Sequence, residues 1–152
     1  MAKRLWDKGA EVDNLVHHFT IGQDPTLDLV LVEHDLVASA AHAKMLKKIG
    51  ILDGQELKAL LDEMSSLVDL SKSGAFEIPY ELEDCHSAIE NALVEKIGQV
   101  GKKVHTGRSR NDQVLVASRL WLRSSVITCL EELIALADTL AERAQREGQH
   151  IF

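Results

Sequence analysis

A basic loop from Lys102 to Gln113 carries the residues of this chain that are best suited to chemistry. It reads Lys-Lys-Val-His-Thr-Gly-Arg-Ser-Arg-Asn-Asp-Gln and gathers cations, hydroxyls and amides. A long helical pattern follows at once, so the free N–H groups and partial positive charge of a helix N-terminus lie at this loop. Such a position favours carboxylates or phosphates. Arg108 and Arg110 can add bidentate hydrogen bonds to a planar anion.

Within the basic loop, Ser109, Arg110 and Asn111 are the strongest candidates for contacts with an anion. An ordinary capped helix would use the same residue types, since Ser and Asn are common caps and Arg is a common surface residue. Spacing alone leaves both interpretations open. The ligand site is favoured by Gly107, which permits close approach to the backbone, and by the hydroxyl of Thr106.

A second polar group, Asp84, His86 and Glu90, lies near the start of another helical pattern. His86 and Glu90 share a helix face because they are four residues apart. The group supports a ligand or orients the basic loop in one interpretation, and belongs to a solvated helix start in the other. The sequence favours neither. We expect no metal, since His86 and Glu90 supply two ligands where a catalytic zinc usually takes three from the protein.

The chain offers no convincing pair of residues for general acid–base catalysis. His105 abuts the basic loop and can bind an anion when protonated, but packing is the more common role of such a histidine. The sequence contains neither a Gly-x-Ser-x-Gly elbow nor a glycine-rich phosphate-binding fingerprint. We therefore expect an anion-binding loop without its own proton-transfer groups, and no cofactor.

Composition restricts the classes of partner for this chain of 152 residues. A net charge of −7 argues against general binding of nucleic acids or anionic membranes, so the basic loop indicates a small anionic ligand. No apolar run is long enough to span a membrane and no signal peptide follows Met1, so we expect a cytoplasmic protein. Cys85 and Cys129 lie in apolar helical patterns, and we expect both to be reduced, buried thiols.

Helical patterns position these residues, and few residues favour strands, so the chain is predicted to be all-α. Residues 1–23 are expected to be irregular, because glycines and paired histidines interrupt every period. The pattern predicts helices over residues 25–49, from Asp53 up to Gly74, over residues 81–97, and from about Ser109 to about Glu147. Capping residues mark the first two helices: Asp24 as N-cap before Pro25, Gly50 as C′ residue, and Asp53 with Glu56 as a capping box.

The fourth predicted helix carries apolar residues around most of its circumference. It is on the order of 55 Å long at the standard rise, and such a helix is buried by several neighbours. The three preceding helices are too few for this, so we infer partners from other subunits or from sequence beyond Phe152. The apolar ending Gln149-His150-Ile151-Phe152 likewise indicates a piece of a longer protein.

The run from His105 to Gln113 resembles the signature of the argininosuccinate lyase family, within the fumarase/aspartase superfamily. Other segments agree with the family pattern: Leu5-Trp6, Ala41–Leu46, Glu83-Asp84-Cys85-His86 with Glu90, and Arg119–Arg123. The resemblance covers essentially the whole chain and about the N-terminal third of a family member. The long helix would then begin the central helix bundle of the superfamily.

The resemblance implies an N-terminal helical domain at 1–108, followed at 109–152 by the start of the bundle domain. It also implies a homotetramer in which three subunits contribute to each active site. The implied reaction is the reversible elimination of fumarate from argininosuccinate, which yields arginine in arginine biosynthesis and the urea cycle. An aci-carboxylate dianion formed in this reaction must be stabilised, and preorganised donors at the basic loop fit that demand.

The resemblance places the substrate-binding residues in and near the basic loop. Asn111 would bind the substrate, with Ser109 and Arg110 beside it. Two further loop residues, Thr106 and Gly107, would shape the pocket. Asp84 and His86, in the third predicted helix, would lie at or behind it.

Two departures limit what is carried over from the family. The usual Phe-Asn-Ala-Ser segment, whose serine contacts the substrate, reads Phe-Thr-Ile-Gly-Gln-Asp here, so Thr20 and Gln23 are the candidates to replace that contact. The Thr-His pair and the flexible Gly-Ser-Ser loop, which supply the proton-transfer residues, would follow Phe152. We therefore expect no catalytic residue in this chain and no activity of the chain alone.

Two alternatives remain open. A lyase-derived structural or interaction protein, as in the lens crystallins of this family, would lack the downstream Thr-His and Gly-Ser-Ser motifs or their activity. Another superfamily lyase, such as adenylosuccinate lyase or fumarase, is disfavoured by the Ser-Arg-Asn-Asp-Gln run that starts at Ser109.

Overall fold

The computed structural model describes residues 14–149, and this part of the chain is helical without strands, which confirms the all-α prediction. The helices are α1 (Asn14–Ile21), α2 (Asp24–Leu27), α3 (Val32–Lys48), α4 (Gly54–Lys72), α5 (Cys85–Ile97), α6 (Gln99–Lys102) and α7 (Arg110–Glu147). Short 3-10 helices cover Asp28–Leu31, Tyr80–Leu82 and Lys103–His105. The family-like pair Leu5-Trp6 and the apolar ending at Ile151-Phe152 lie outside the described residues.

The chain divides into two compact units, Met1–Ser118 and Arg119–Phe152. In the first unit, α3, α4 and α5 pack around one apolar core. Its most deeply buried large side chains include Leu36, Leu46, Leu60 and Leu93. The predicted boundary between residues 108 and 109 stays a prediction.

Helix α4 begins as the sequence predicts. The Asp53 carboxylate accepts hydrogen bonds from the N–H groups of Gln55 (2.7 Å) and Glu56 (2.8 Å), and the Glu56 carboxylate accepts one from the N–H of Asp53 (3.1 Å). This reciprocal capping box satisfies N–H groups that have no partner within the helix. Gly50, with φ of 83°, ends the preceding helix in the left-handed conformation expected of a C′ glycine.

The expectation that residues 1–23 are irregular is wrong for Asn14–Ile21, which forms α1, and residues 1–13 lie outside the described part of the chain. The paired histidines do not break this helix. The Tyr80 hydroxyl lies 3.0 Å from Nδ1 of His18, and the ring of His17 meets that of Tyr80 edge-on. Tertiary contacts with residue 80 therefore outweigh the modest helix propensity of histidine.

The first predicted helix is interrupted rather than continuous. Asp24 lies inside α2 and is preceded by Gln23 at the N-cap position, and the 3-10 helix Asp28–Leu31 separates α2 from α3. The interruption coincides with a tertiary contact, since Asp28 Oδ2 accepts a hydrogen bond from the N–H of Cys85 (3.2 Å) at the start of α5. A contact so distant along the chain leaves no periodic signal in the sequence.

Helix α5 begins at Cys85, four residues later than predicted. Glu83 has φ of 71°, and the N–H of Asp84 donates to the carbonyl of Leu82 (2.8 Å) across it. This is a γ-turn with the rare positive φ, which reverses the chain before the helix. Asp84 then caps α5 by accepting a hydrogen bond from the N–H of Ser87 (2.6 Å).

Helix α6 lies in backbone contact with α5 and leads into the basic loop. A Cβ at Gly101 would stand 2.7 Å from the carbonyl carbon of Leu93 and from the nitrogen of Val94. Only glycine permits this approach. The backbone contact between α6 and α5 therefore fixes the position of the basic loop relative to α5.

Helix α7 comprises 38 residues, and its start at Arg110 confirms the prediction. Large apolar side chains along it are exposed, among them Leu130, Leu133, Ile134 and Leu140. Cys129 is also exposed, which corrects the expectation that both thiols are buried; Cys85 is buried, and burial raises the pKa of its thiol. Among residues 14–149, no helix combines the length and apolarity needed to cross a membrane.

Candidate anion-binding loop

The start of the basic loop is tied to α3. Nε2 of His42 donates a hydrogen bond to the carbonyl of Thr106 (2.9 Å), and partial burial lowers the pKa of His42. Gly107 follows with φ of 72°, and the N–H of Arg108 donates to the carbonyl of His105 (3.2 Å). The turn at Gly107 needs the left-handed region, where a side chain is strained. Thr106 and Gly107 are both exposed, as a ligand site requires.

Arg108 is directed into the protein. Its Nη2 donates to Ser39 Oγ on α3 (3.1 Å) and to the carbonyl of Val104 (2.9 Å). Burial lowers the pKa of this guanidinium, whereas the charge of Asp35 favours the protonated form. Arg108 thus holds the loop to the core. The N–H donors that make these contacts are among those that we expected to bind an anion.

Ser109 and Asp112 form a reciprocal cap at the start of α7. The Asp112 carboxylate accepts from the N–H (2.8 Å) and the hydroxyl (2.9 Å) of Ser109, whose Oγ lies 3.3 Å from the N–H of Asp112. These hydrogen bonds lower the pKa of Asp112. The Ser-x-x-Asp spacing was the available signal for the role of Asp112, which our sequence analysis did not single out.

Arg110 connects the basic loop to the start of α5. Its Nη2 donates to Ser87 Oγ (3.0 Å), and its Nε lies 3.6 Å from Asp84 Oδ2. The structure thus brings together Asp84 and Arg110, two predicted site residues separated by 26 positions in the sequence (110 − 84). Asn111 lies next to them, exposed in the first turn of α7. An anion in front of α7 would meet this half-buried cation and the first N–H groups of the helix.

His86 lies behind the loop, in the core. It is only 2% exposed, and its Nδ1 lies 3.0 Å from Asp35 Oδ2 on α3. This placement rules out the solvated helix start that the sequence had left open for His86. Glu90 is buried too, with Oε2 3.9 Å from Nδ1 of His105.

Asp35 and Ser39, both buried on the core face of α3, were not among the residues predicted from the sequence. The signal was present, because residues 35, 39 and 43 recur at helical spacing on a face otherwise made of apolar side chains. A carboxylate on such a face requires a buried partner.

The two candidates to replace the family serine lie apart from these contacts. The Thr20 hydroxyl donates to the carbonyls of Val16 (3.0 Å) and His17 (3.1 Å) within α1. Gln23 is exposed just before α2. In the described part of the chain, no group of three or more His, Cys, Asp or Glu side chains is arranged to hold a metal ion.

Comparison with known proteins gives a consistent result. A family model described as lyase matches residues 8–152. The argininosuccinate lyase of Thermotoga neapolitana is 42% identical over 152 residues, which are 100% of this chain and 38% of that protein. The argininosuccinate lyase of Xanthomonas oryzae is 44% identical over 98% of this chain and 35% of its own length. The argininosuccinate lyase of Parabacteroides distasonis is 41% identical over 96% of this chain and 33% of its own length. The chain thus spans only 33–38% of the length of these curated relatives. Since the lyase model matches nearly its whole length, the chain belongs to the lyase family.

Proposed function

We propose that this chain is the N-terminal part of an argininosuccinate lyase, which eliminates fumarate reversibly from argininosuccinate and leaves arginine. The observation that carries the proposal is the capped start of α7, where Arg110, between Ser109 and Asn111, pairs with Asp84 at the N-cap of α5. Similarity to argininosuccinate lyases over 96–100% of the chain supports the same reaction.

The proposed role of the basic loop is to bind a substrate carboxylate and the charge that develops on it. Removal of a proton beside a carboxylate produces an aci-carboxylate dianion, which requires donors that are already in place. Asn111 would donate its side-chain amide to the substrate. Arg110 would supply a cation held in position by Ser87 and Asp84, which lie 3.0 Å and 3.6 Å from it.

The remaining predicted site residues receive supporting roles in this proposal. Ser109 fixes the first turn of α7 through Asp112, and Thr106 with Gly107 shapes the approach to the helix N-terminus. Asp84 holds Arg110, and His86 lies behind the site because it is buried against Asp35. No group among these is placed as the proton-transfer pair, so we assign catalysis to residues outside this chain.

The test compares the chain alone with the full-length gene product. We expect fumarate release from argininosuccinate, followed by ultraviolet absorbance, for the full-length protein and not for the chain of 152 residues. Turnover by the chain alone would contradict the assignment of proton transfer to other residues. A full-length protein that folds but releases no fumarate would refute the proposed reaction and favour a structural, crystallin-like role.

We further infer that the full-length protein is a homotetramer built through α7. The exposed apolar side chains of this helix are too many for a solvated surface, and helices that are apolar around most of their circumference are buried by neighbours. We also infer a cytoplasmic location, which the free thiols of Cys85 and Cys129 support, since a reducing compartment keeps cysteines unpaired. We propose no cofactor for the reaction.

A further inference from the structure

A chain of polar contacts runs through the first unit from α5 to the basic loop. Nδ1 of His86 lies 3.0 Å from Oδ2 of Asp35. The other oxygen of Asp35, Oδ1, accepts a hydrogen bond from Ser39 Oγ (3.3 Å). Ser39 Oγ in turn accepts one from Nη2 of Arg108 (3.1 Å). We name these four residues the polar chain.

The polar chain is buried along most of its length. Asp35 is 0% exposed, Ser39 and His86 are each 2% exposed, and Arg108 is half-buried. An ionised carboxylate in such a place is costly unless it is paired, and an unpaired guanidinium would be costly too. The opposite charges of Asp35 and Arg108 therefore stabilise each other across the Ser39 hydroxyl.

Other charges near Arg108 act on its guanidinium in both directions. Glu90 and Asp112 attract the guanidinium and Arg110 repels it, while burial disfavours its charge. Asp35 is the largest favourable charge in this set. Asp35 also contacts two other members of the polar chain, His86 on α5 and Ser39 on α3.

We propose that Asp35 is a positioning residue for the basic loop. Through Ser39 it holds Arg108, and through His86 it fixes the loop relative to α5, so that the N–H groups at the start of α7 are preorganised. This inference rests on the proposed function, since it presumes that the loop binds the reacting carboxylate. Misplacement by about 1 Å from a residue remote from the chemistry can cost on the order of 10²-fold in rate.

A double-mutant cycle in the full-length enzyme tests whether Asp35 acts through Arg108. The variants are Asp35→Asn, Arg108→Met and both together, with Asp62→Asn as control because Asp62 is an exposed aspartate paired with Lys58 on α4. We expect each single change to lower kcat/KM by about 10²-fold, and the double variant to lose about as much as one single change. The control should match wild type. Losses that multiply in the double variant would overturn the proposal, as would an unchanged kcat/KM in Asp35→Asn.

A gentler variant covers the case in which Asp35→Asn fails to fold. Ser39→Ala removes only the hydroxyl between Asp35 and Arg108, and Ser66→Ala removes an exposed hydroxyl on α4 as its matched control. Hydrogen–deuterium exchange of the full-length protein is followed in peptides covering 103–112 and 57–68. Ser39→Ala should accelerate exchange by about tenfold at 103–112, where turn hydrogen bonds protect the N–H groups of Thr106 and Arg108, and leave 57–68 unchanged. Unchanged exchange at 103–112, or equal acceleration in both peptides, would overturn the positioning role.

The exchange measurement separates this inference from the proposed function. A wild-type protein without fumarate release would refute the function, whereas loop exchange in Ser39→Ala would still decide whether the polar chain holds the loop. Conversely, an active enzyme in which Ser39→Ala leaves hydrogen–deuterium exchange of the loop unchanged would refute the positioning role alone.

Discussion

At the scale of single residues, both arginines of the basic loop are tied to their own unit. Arg108 reaches Ser39 and the carbonyl of Val104, and Arg110 reaches Ser87 and Asp84. Long cationic side chains lose considerable rotamer freedom when they bind a ligand. Since its contacts already restrict Arg110, a carboxylate bound beside it under the proposed function would meet a preorganised cation, whereas Arg108 holds the loop to the core.

Removal of one donor at this site should affect the reaction strongly. We expect Asn111→Ala in the full-length enzyme to reduce transition-state stabilisation by about 2–4 kcal/mol, measured as kcat/KM, by analogy with loss of one preorganised donor. Asn91→Ala is the matched control, because Asn91 donates a hydrogen bond to Glu95 on the same helix, away from the basic loop. Wild-type kinetics in Asn111→Ala would refute a substrate-binding role for this amide.

The backbone at Gly107 gives a prediction that does not depend on activity. With φ of 72°, Gly107→Ala should destabilise the fold by about 1–2 kcal/mol, since an L side chain is strained in this region. A Cβ there meets nothing within 4 Å, so the cost is confined to the backbone. Chemical denaturation measures it.

Gly54→Ala serves as the control for Gly107→Ala, because its Cβ also meets nothing within 4 Å while its backbone is helical. This change should be neutral or stabilising by up to about 1 kcal/mol. Equal effects of the two substitutions would contradict the requirement for glycine at the turn.

At the scale of elements, the sequence predicts those helices whose ends are set locally. The capping box at Asp53 and the start of α7 near Ser109 depend on side chains within three residues, so their patterns are visible in the sequence. The interruption at Asp28 coincides with a contact to Cys85, 57 residues away, and the late start of α5 follows a positive φ at Glu83, a residue type that does not signal such a turn. The site divides in the same way: the exposed loop residues could be named from the sequence, whereas Asp35 and Ser39 acquire their role only through α5 and Arg108.

The cap of α7 should make stability depend on pH. Hydrogen bonds from Ser109 lower the pKa of Asp112 below its ordinary value of 3.8, so the ionised cap stabilises the fold above that pH. This contribution is lost as pH falls through the lowered pKa. Asp112→Asn should therefore reduce the denaturation midpoint at neutral pH and have a smaller effect below pH 3.8.

Asp69→Asn, an exposed aspartate on α4, is the control for the cap. We expect its effect on the midpoint to be small at both pH values. An equal loss at neutral and acidic pH in Asp112→Asn would contradict the ionised cap.

At the scale of the whole molecule, the exposed apolar side chains of α7 should drive association. We expect the chain of 152 residues to form oligomers whose mass rises with concentration in analytical ultracentrifugation. Leu130 and Ile134 are four residues apart and more than half exposed, so replacing both by Glu should shift the distribution towards monomers.

Glu142→Lys changes charge on the same helix without removing apolar surface, and it should leave association unchanged. A compact monomer at every concentration of the wild-type chain would contradict association through α7.

The close approach at Gly101 has an evolutionary consequence for this unit. Any residue with a Cβ would collide with the backbone of α5 at 2.7 Å, so Gly101 cannot be substituted while α5 and α6 keep this packing. Thr106 and Asn111, which are exposed in the basic loop, carry no such backbone restriction, whereas Gly107 is restricted by its φ of 72°. The contact at Gly101 thus fixes the distance between α5 and the loop. The exposed side chains of the loop can change under selection for a different anion without disturbing this contact.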